Sequence, residues 1–215
     1  FYFKENRKEI IMKKIFLIIC LIIIFIISCK SAPVATGPEK GAGFQTTEGN
    51  NQTTKSLNLP DGASIRETPR GKVLVLYDPK SKTDIGKKGD TYEVKFAFDN
   101  TLEIGSYKEA YNLVHQIINN NPDIRIMVEG NSSKDGPALY NYGLSQRRSD
   151  KSFNYIIKLG AENSKLLKNA FGEALPEYPT LKENRRSEFI IIMDEEDLKK
   201  YNDFAKTVDI NKETN

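Results

Sequence analysis

The chain has 215 residues, 39% apolar and 28% charged, which allows one folded core with tails and excludes wholesale disorder. Its formal charge of +3 is misleading: setting aside the five basic and two acidic residues of 1–28 leaves 27 of each sign, so no nucleic-acid footprint remains. Two cysteines and one histidine supply no disulfide scaffold, zinc cluster or Cys–His catalytic pair.

Residues 1–28 read as an export signal. The first methionine is Met12, followed by Lys13-Lys14 and an unbroken apolar run from Ile15 to Ile27. A short basic region before such a run is the pattern of a signal peptide. The run falls short of the roughly 20 residues that span a bilayer, and it lacks the polar face of a core helix. Lys8-Glu9 can be encoded as a ribosome-binding sequence two codons before Met12, so 1–11 is read as untranslated upstream sequence. Ile26-Ile27-Ser28-Cys29 resembles the bacterial lipobox. That resemblance implies a diacylglycerol on the Cys29 thiol, cleavage before Cys29 and acylation of the new amine. Acyl chains, at ~0.8 kcal/mol per buried CH₂, make a lasting membrane anchor. Lys30 stands where inner-membrane lipoproteins often carry Asp, which directs the expectation to the outer membrane.

Residues 29–56 carry the lipidated cysteine and a linker of Gly, Pro, Thr, Asn and Ser, with Phe44 the one large apolar residue. Such a composition predicts a coil of ~29 Å r.m.s. span. Residues 57–92 are expected to form an N-terminal strand extension with an insertion. Val73–Tyr77 is β-rich, and Asp78-Pro79 and Gly86–Gly89 supply turns. Tyr92 to Phe98 alternates, with Tyr92, Val94, Phe96 and Phe98 on one side, which predicts a half-buried strand.

Ser106 to Asn120 is predicted helical, with Tyr107, Ala110, Tyr111, Val114, Ile117 and Ile118 on one stripe and His115 off it. Asn119-Asn-Asn-Pro122 ends it, Ile124–Val128 is the next strand, and Gly130–Gly136 is a polar loop. A second helix spans Pro137–Leu159, with Leu139, Tyr142, Phe153, Ile156 and Ile157 as its apolar stripe around a polar gap. Gly160 stops it. Short strands follow at Leu166–Phe171 and Ser187–Met193, and 195–215 reads as a charged tail whose start has helical character. Strands alternating with two long helices predict an α/β two-layer sandwich, with helices on one face of the sheet.

The motif order over about Glu93–Met193 resembles the OmpA-like domain of peptidoglycan-associated lipoproteins. The resemblance rests on Phe96-Ala-Phe98-Asp99-Asn100, Val128-Glu129-Gly130, the run Asn141 to Arg148, Gly172-Glu173 before Pro176, and Asn184-Arg185-Arg186-Ser187-Glu188. It implies a small mixed sheet of the βαβαβ type over 93–194. It also implies a non-catalytic module that binds the peptide stem of peptidoglycan, with the domain in the periplasm. In that family an aspartate holds the ammonium of the stem's diamino acid and an arginine holds its carboxylate.

Here Arg148 stands at the arginine position, and Ser133 stands where the family has aspartate, with Asn131 in place of its histidine. Asp135, two residues on, either supplies the missing carboxylate or only makes the turn with Gly136. Arg148 either binds ligand or pairs with a nearby carboxylate such as Asp150. Asp99, Asn100, Gly130 and Leu144 complete the implied ligand-binding set. Arg185-Arg186 are expected to brace the fold, and Tyr140, Tyr142 and Tyr155 to pack. No cofactor or metal is implied, and no Walker loop, dinucleotide fingerprint or nucleophile–base–oxyanion pattern appears. The alternative reading is an OmpA-fold lipoprotein that has lost its grip on the wall and pairs with envelope proteins.

Overall fold

The computed structural model describes residues 56–81 and 91–212. Cys29, the signal segment and nearly all of the linker lie outside these residues. Seven strands form one sheet: β1 (Ala63–Thr68), β2 (Gly71–Leu76), β3 (Val94–Phe96), β4 (Glu103–Ile104), β5 (Arg125–Gly130), β6 (Leu166–Ala170) and β7 (Arg186–Ile192). The helices are α1 (Tyr107–Asn120), α2 (Ala138–Lys158), α3 (Leu181–Asn184) and α4 (Glu195–Thr207), with a 3₁₀ turn at Asn163–Lys165. The long strand β7 is central. One edge pairs antiparallel with β5, from Arg125↔Ile192 to Gly130↔Ser187, and β5 pairs in parallel with β6. The other edge pairs with β3 at its start and with β2 toward its end.

Period-2 alternation sends side chains of each strand to opposite faces. Ile126, Val128, Phe189 and Ile191 enter the larger core with Ala110, Tyr111, Val114 and Ile117 of α1 and Ile156 of α2. Met127, Ile190 and Ile192 enter a second core with Val73, Phe171 and Tyr201. The α1 stripe thus packs as its spacing predicts. Asn121 ends α1 by donating from Nδ2 to the Ile117 carbonyl at 2.7 Å, just before Pro122.

The α/β sandwich stands, with one addition. The charged segment read as a tail forms helix α4 over 195–207 and covers the second face of the sheet, so helices lie on both faces. Asp194 caps it, accepting from the Asp197 N–H at 2.9 Å, and three acidic residues fill its first turn, where the helix dipole favours them. The buried Tyr201, with Leu198 and Phe204, forms its inner side. Three large apolar contacts on a 13-residue helix are a weaker periodic signal than the surrounding charge.

The C-terminal half of the α2 stripe holds, with Ile156 buried and Phe153 and Ile157 packed against the core, and its N-terminal half is corrected. Leu139 is 71% exposed, and the buried face instead runs through Asn141, Leu144, Ser145, Arg148, Ser149, Ser152 and Ile156. The polar gap is itself the packing surface. Ser149 Oγ donates to the Val128 carbonyl at 2.8 Å, and Ser152 Oγ donates to Ser187 Oγ at 2.8 Å. Small hydroxyls let α2 lie against β5 where Gly130 has no side chain. A Cβ on Gly130 would run into the Ser145 carbonyl. Phe98 is also corrected: it leaves the strand and is 65% exposed, because the chain turns at Asp99, whose φ is +48°. Strands β1 and β4 and helix α3 were not foreseen.

At one end of the second face sits a buried ionic cluster. Arg186 donates through Nε and Nη2 to Glu188 Oε2 at 2.9 and 2.7 Å, Arg70 Nη2 reaches the same oxygen at 2.9 Å, and Arg70 also pairs with Glu177. Glu129, wholly buried, accepts from the Tyr201 hydroxyl at 3.1 Å and stands 3.1 Å from Arg70 Nε, an ion-pair distance without hydrogen-bond alignment. Burial, reinforced by Glu188, pushes the Glu129 carboxyl up to about 7 against the pull of Arg70.

Two outcomes follow. Gly130→Ala should lower stability by at least ~2 kcal/mol in urea titrations, because backbone cannot yield to the new Cβ. Glu129 holds its proton more firmly in the folded chain than in the unfolded one. Its contribution is therefore present below the ordinary value of 4.5 and lost as pH rises through about 7. Thermal melts between pH 5 and pH 8 should fall less steeply in Glu129→Gln than in the parent.

Candidate functional site

The turn after β3 is built to present backbone oxygens. The Ala97 N–H donates to the Leu102 carbonyl at 2.9 Å, and Asn100 Oδ1 accepts from the Leu102 N–H at 2.9 Å. Asp99 takes the left-handed conformation that Asp tolerates better than most residues. The Ala97 and Asn100 carbonyls are thereby turned toward α2.

Arg148 lies where these elements meet. Its side chain is wholly buried. Nε donates to the Asn100 carbonyl at 3.0 Å, Nη1 to the Asn131 carbonyl at 3.1 Å and Nη2 to the Ala97 carbonyl at 3.2 Å. Its guanidinium stands 5.2 Å from the centroid of the Phe96 ring. A guanidinium has five N–H groups, so one on each terminal nitrogen is left over from these bonds. Burial, with Arg185 and Arg147 adding repulsion and Asp99 opposing, pushes Arg148 down to about 10. It remains a cation at neutral pH. The expected alternative, pairing with Asp150, does not occur: Asp150 takes Lys168 at 2.5 Å.

Arg148 opens onto a surface pocket of about 570 Å³ at the ends of β3, β5 and β7. Of the ligand-binding set, Asp99, Ser133, Asp135, Leu144 and Arg148 line it. Asn100, Gly130 and Asn131 do not. Asn100 and Asn131 contribute carbonyls to Arg148 from behind the lining, and Gly130 is spent on the contact with α2.

Sequence reasoning missed several lining residues. Arg185 braces the fold as expected, donating from Nε to the Phe96 carbonyl at 3.3 Å, and also joins the wall, its side chain 13% exposed and 4.0 Å from Asp135. Tyr140, read as packing, is 47% exposed and donates its hydroxyl to Asp99. Phe98 stands opposite, its ring 5.8 Å from the Arg185 guanidinium. Gly136, Pro137 and Asn141 complete the wall. Tyr155 does pack, stacked on Tyr111 at 4.5 Å. The signal for Arg185 lay in its place just before β7, whose start meets β3 at the pocket.

The loop after β5 carries the altered residues. Ser133 Oγ donates to Asp135 Oδ2 at 2.6 Å, so the hydroxyl orients the carboxylate that follows it. Asn141 ties the loop down, donating from Nδ2 to the Gly136 carbonyl at 3.1 Å and to Glu173 Oε2 at 2.5 Å. The pocket therefore holds two arginines and two carboxylates, each carboxylate already accepting from a hydroxyl. This arrangement suits a small ligand bearing charges of both signs. Among the described residues, no group of three or more His, Cys, Asp or Glu is placed to hold a metal ion.

A mixed sheet with two helices on one face and a strand-end pocket around a buried arginine defines an α/β domain with a charged cleft at one end. The OmpA family model matches residues 96–188, and that stretch is an OmpA family domain. The peptidoglycan-associated lipoprotein of Pasteurella multocida is 28% identical over 115 residues, covering 54% of this chain and 73% of that protein. Its counterpart in Haemophilus influenzae is 31% identical over 96 residues, covering 45% and 61%. A solved structure of the peptidoglycan-associated lipoprotein from Burkholderia pseudomallei overlaps 47% of this chain and 90% of that one, at 22% identity and a TM-score of 0.44, which is too low to carry weight.

The pocket's two sides should differ in their tolerance of change. Asn141→Ala strips a buried partner from Glu173 and the Gly136 carbonyl and should cost ~1–3 kcal/mol in denaturant unfolding. Tyr140→Phe, on the exposed rim, should stay within ~0.5 kcal/mol.

Proposed function

We propose that this chain is an outer-membrane lipoprotein whose OmpA family domain grips the peptide stem of peptidoglycan, without catalysis, and so tethers membrane to wall. The observation that carries the reading is Arg148: a buried cation, pinned by three backbone carbonyls, in the wall of an open pocket, with one N–H on each terminal nitrogen left over. Such a pair matches a carboxylate as a two-toothed fork. The relatives named peptidoglycan-associated lipoprotein and the lipobox ending at Cys29 support the cellular setting.

In this reading the stem's diamino acid enters with its carboxylate on Arg148. Its ammonium meets Asp135, which Ser133 presents and which takes over from the aspartate that Ser133 replaces. Asp99, held by Tyr140, supplies a second negative edge. The membrane attachment is the acylated Cys29, and the domain faces the periplasm.

Co-sedimentation of the chain with sacculi from its own organism tests this. Wild-type protein should pellet. Arg148→Lys, which keeps the charge but loses the fork, should weaken binding roughly tenfold, about one charge-assisted bond. Asp135→Asn should weaken it by a similar factor. Absence of wild-type pelleting would overturn wall binding and leave an envelope protein-interaction module on the same fold.

A further inference from the structure

The ionic cluster on the second face and the pocket at the strand ends share one residue, Asn131. Its side chain points back to the cluster, donating from Nδ2 to Glu129 Oε1 at 3.2 Å. Its carbonyl points the other way and accepts from Arg148 Nη1 at 3.1 Å. Its N–H donates to the Arg186 carbonyl at 2.9 Å. Asn131 is wholly buried, so water cannot replace any of these partners without opening the loop. On the far side, Glu129 Oε2 accepts from the Tyr201 hydroxyl, and Asn169 Nδ2 donates to that same hydroxyl at 3.1 Å. A continuous run of hydrogen bonds therefore leads from helix α4 through the sheet to the pocket arginine.

We infer that Tyr201, Glu129 and Asn131 form a positioning relay that sets the angle of the Arg148 fork, so that helix α4 takes part in ligand binding from the opposite face of the sheet. None of the three touches the pocket. Their effect is exerted on one of the three carbonyls that aim the guanidinium. The other two carbonyls belong to the β3 turn and are independent of α4. A loosened Asn131 would let Arg148 pivot about the Ala97 and Asn100 carbonyls, and a two-toothed bond to a carboxylate does not survive such a pivot. The carboxylate–amide contact also explains why a fully buried acid sits two residues before the binding loop, where an apolar residue would pack more cheaply.

The relay rests on the wall-binding reading for its purpose, but its geometry can be tested apart from it. Full-length chain in detergent, labelled with ¹⁵N-arginine, reports the Arg148 side-chain Nε resonance, assigned by its loss in Arg148→Lys. Tyr201→Phe and Glu129→Gln should each shift that resonance and weaken sacculus binding roughly 3- to 10-fold. Leu198→Ala, which loosens α4 without touching the relay, should lower the melting temperature yet leave the resonance and the affinity unchanged. An unmoved Nε resonance in both Tyr201→Phe and Glu129→Gln would overturn the relay. So would a loss of affinity in Leu198→Ala matching theirs at equal loss of stability. A shifted resonance in a chain that never binds sacculi would instead overturn the wall-binding reading and keep the relay.

Discussion

The close approach of α2 to β5 at Gly130 is the contact on which the site depends. Without a side chain at Gly130, the helix backbone reaches the strand, and serine hydroxyls at 145, 149 and 152 fasten it by bonding to backbone or to Ser187. Ser145 Oγ accepts from the Gly172 N–H at 2.9 Å, which brings the loop after β6 into the same seam. Arg148 stands one turn along from Ser145. Its guanidinium reaches three carbonyls from two separate loops only because the helix that carries it is held this close. A larger residue anywhere along the seam would lift the arginine away from the oxygens that aim it.

The two faces of the sheet are stabilised by different physics. The α1 and α2 face is an apolar core, in which each fully buried isoleucine contributes roughly 2–3 kcal/mol by removal from water. The α4 face joins a smaller apolar cluster to arginines and glutamates withdrawn from solvent. Buried pairs of this kind rarely add stability over a well-packed apolar equivalent, but each is costly to break singly. They tie the turn between β1 and β2 to β5 and β7, and through Tyr201 to α4, at the end of the sheet from which the loop after β5 departs.

The sequence disclosed most of this fold. Helix α1 was legible because its stripe is strictly periodic, and β7 because Phe189-Ile-Ile-Ile192 is bounded by charged residues. The buried face of α2 was not, since it is made of serines, an asparagine and an arginine that no hydrophobicity pattern marks. The helical start of α4 was legible, but its packing on the sheet was hidden by its charge, and β1 by a run, ASIRET, with little apolar content. In the site, motif spacing placed Arg148, Ser133 and Asp135 in one pocket. It did not separate residues that face the pocket from those that hold its frame, because Asn100 and Asn131 act through their carbonyls. Main-chain oxygens carry no signature in side-chain identity. Tyr140 was assigned to packing, and Arg185 to bracing alone, because exposure at a strand end depends on where the chain turns, here on the positive φ of Asp99.

A buried guanidinium whose three hydrogen bonds all go to backbone carbonyls is an expensive feature for a protein to keep. The dipoles satisfy its hydrogen bonds but supply no negative charge, and the neighbouring Arg185 and Arg147 make the deficit larger. Asp99 offsets part of this repulsion. A ligand carboxylate placed against the two spare N–H groups would add the missing charge inside a site already desolvated, where Coulomb attraction is strong. In the wall-binding reading proposed above, part of the cost of burying Arg148 would be recovered when such a carboxylate binds.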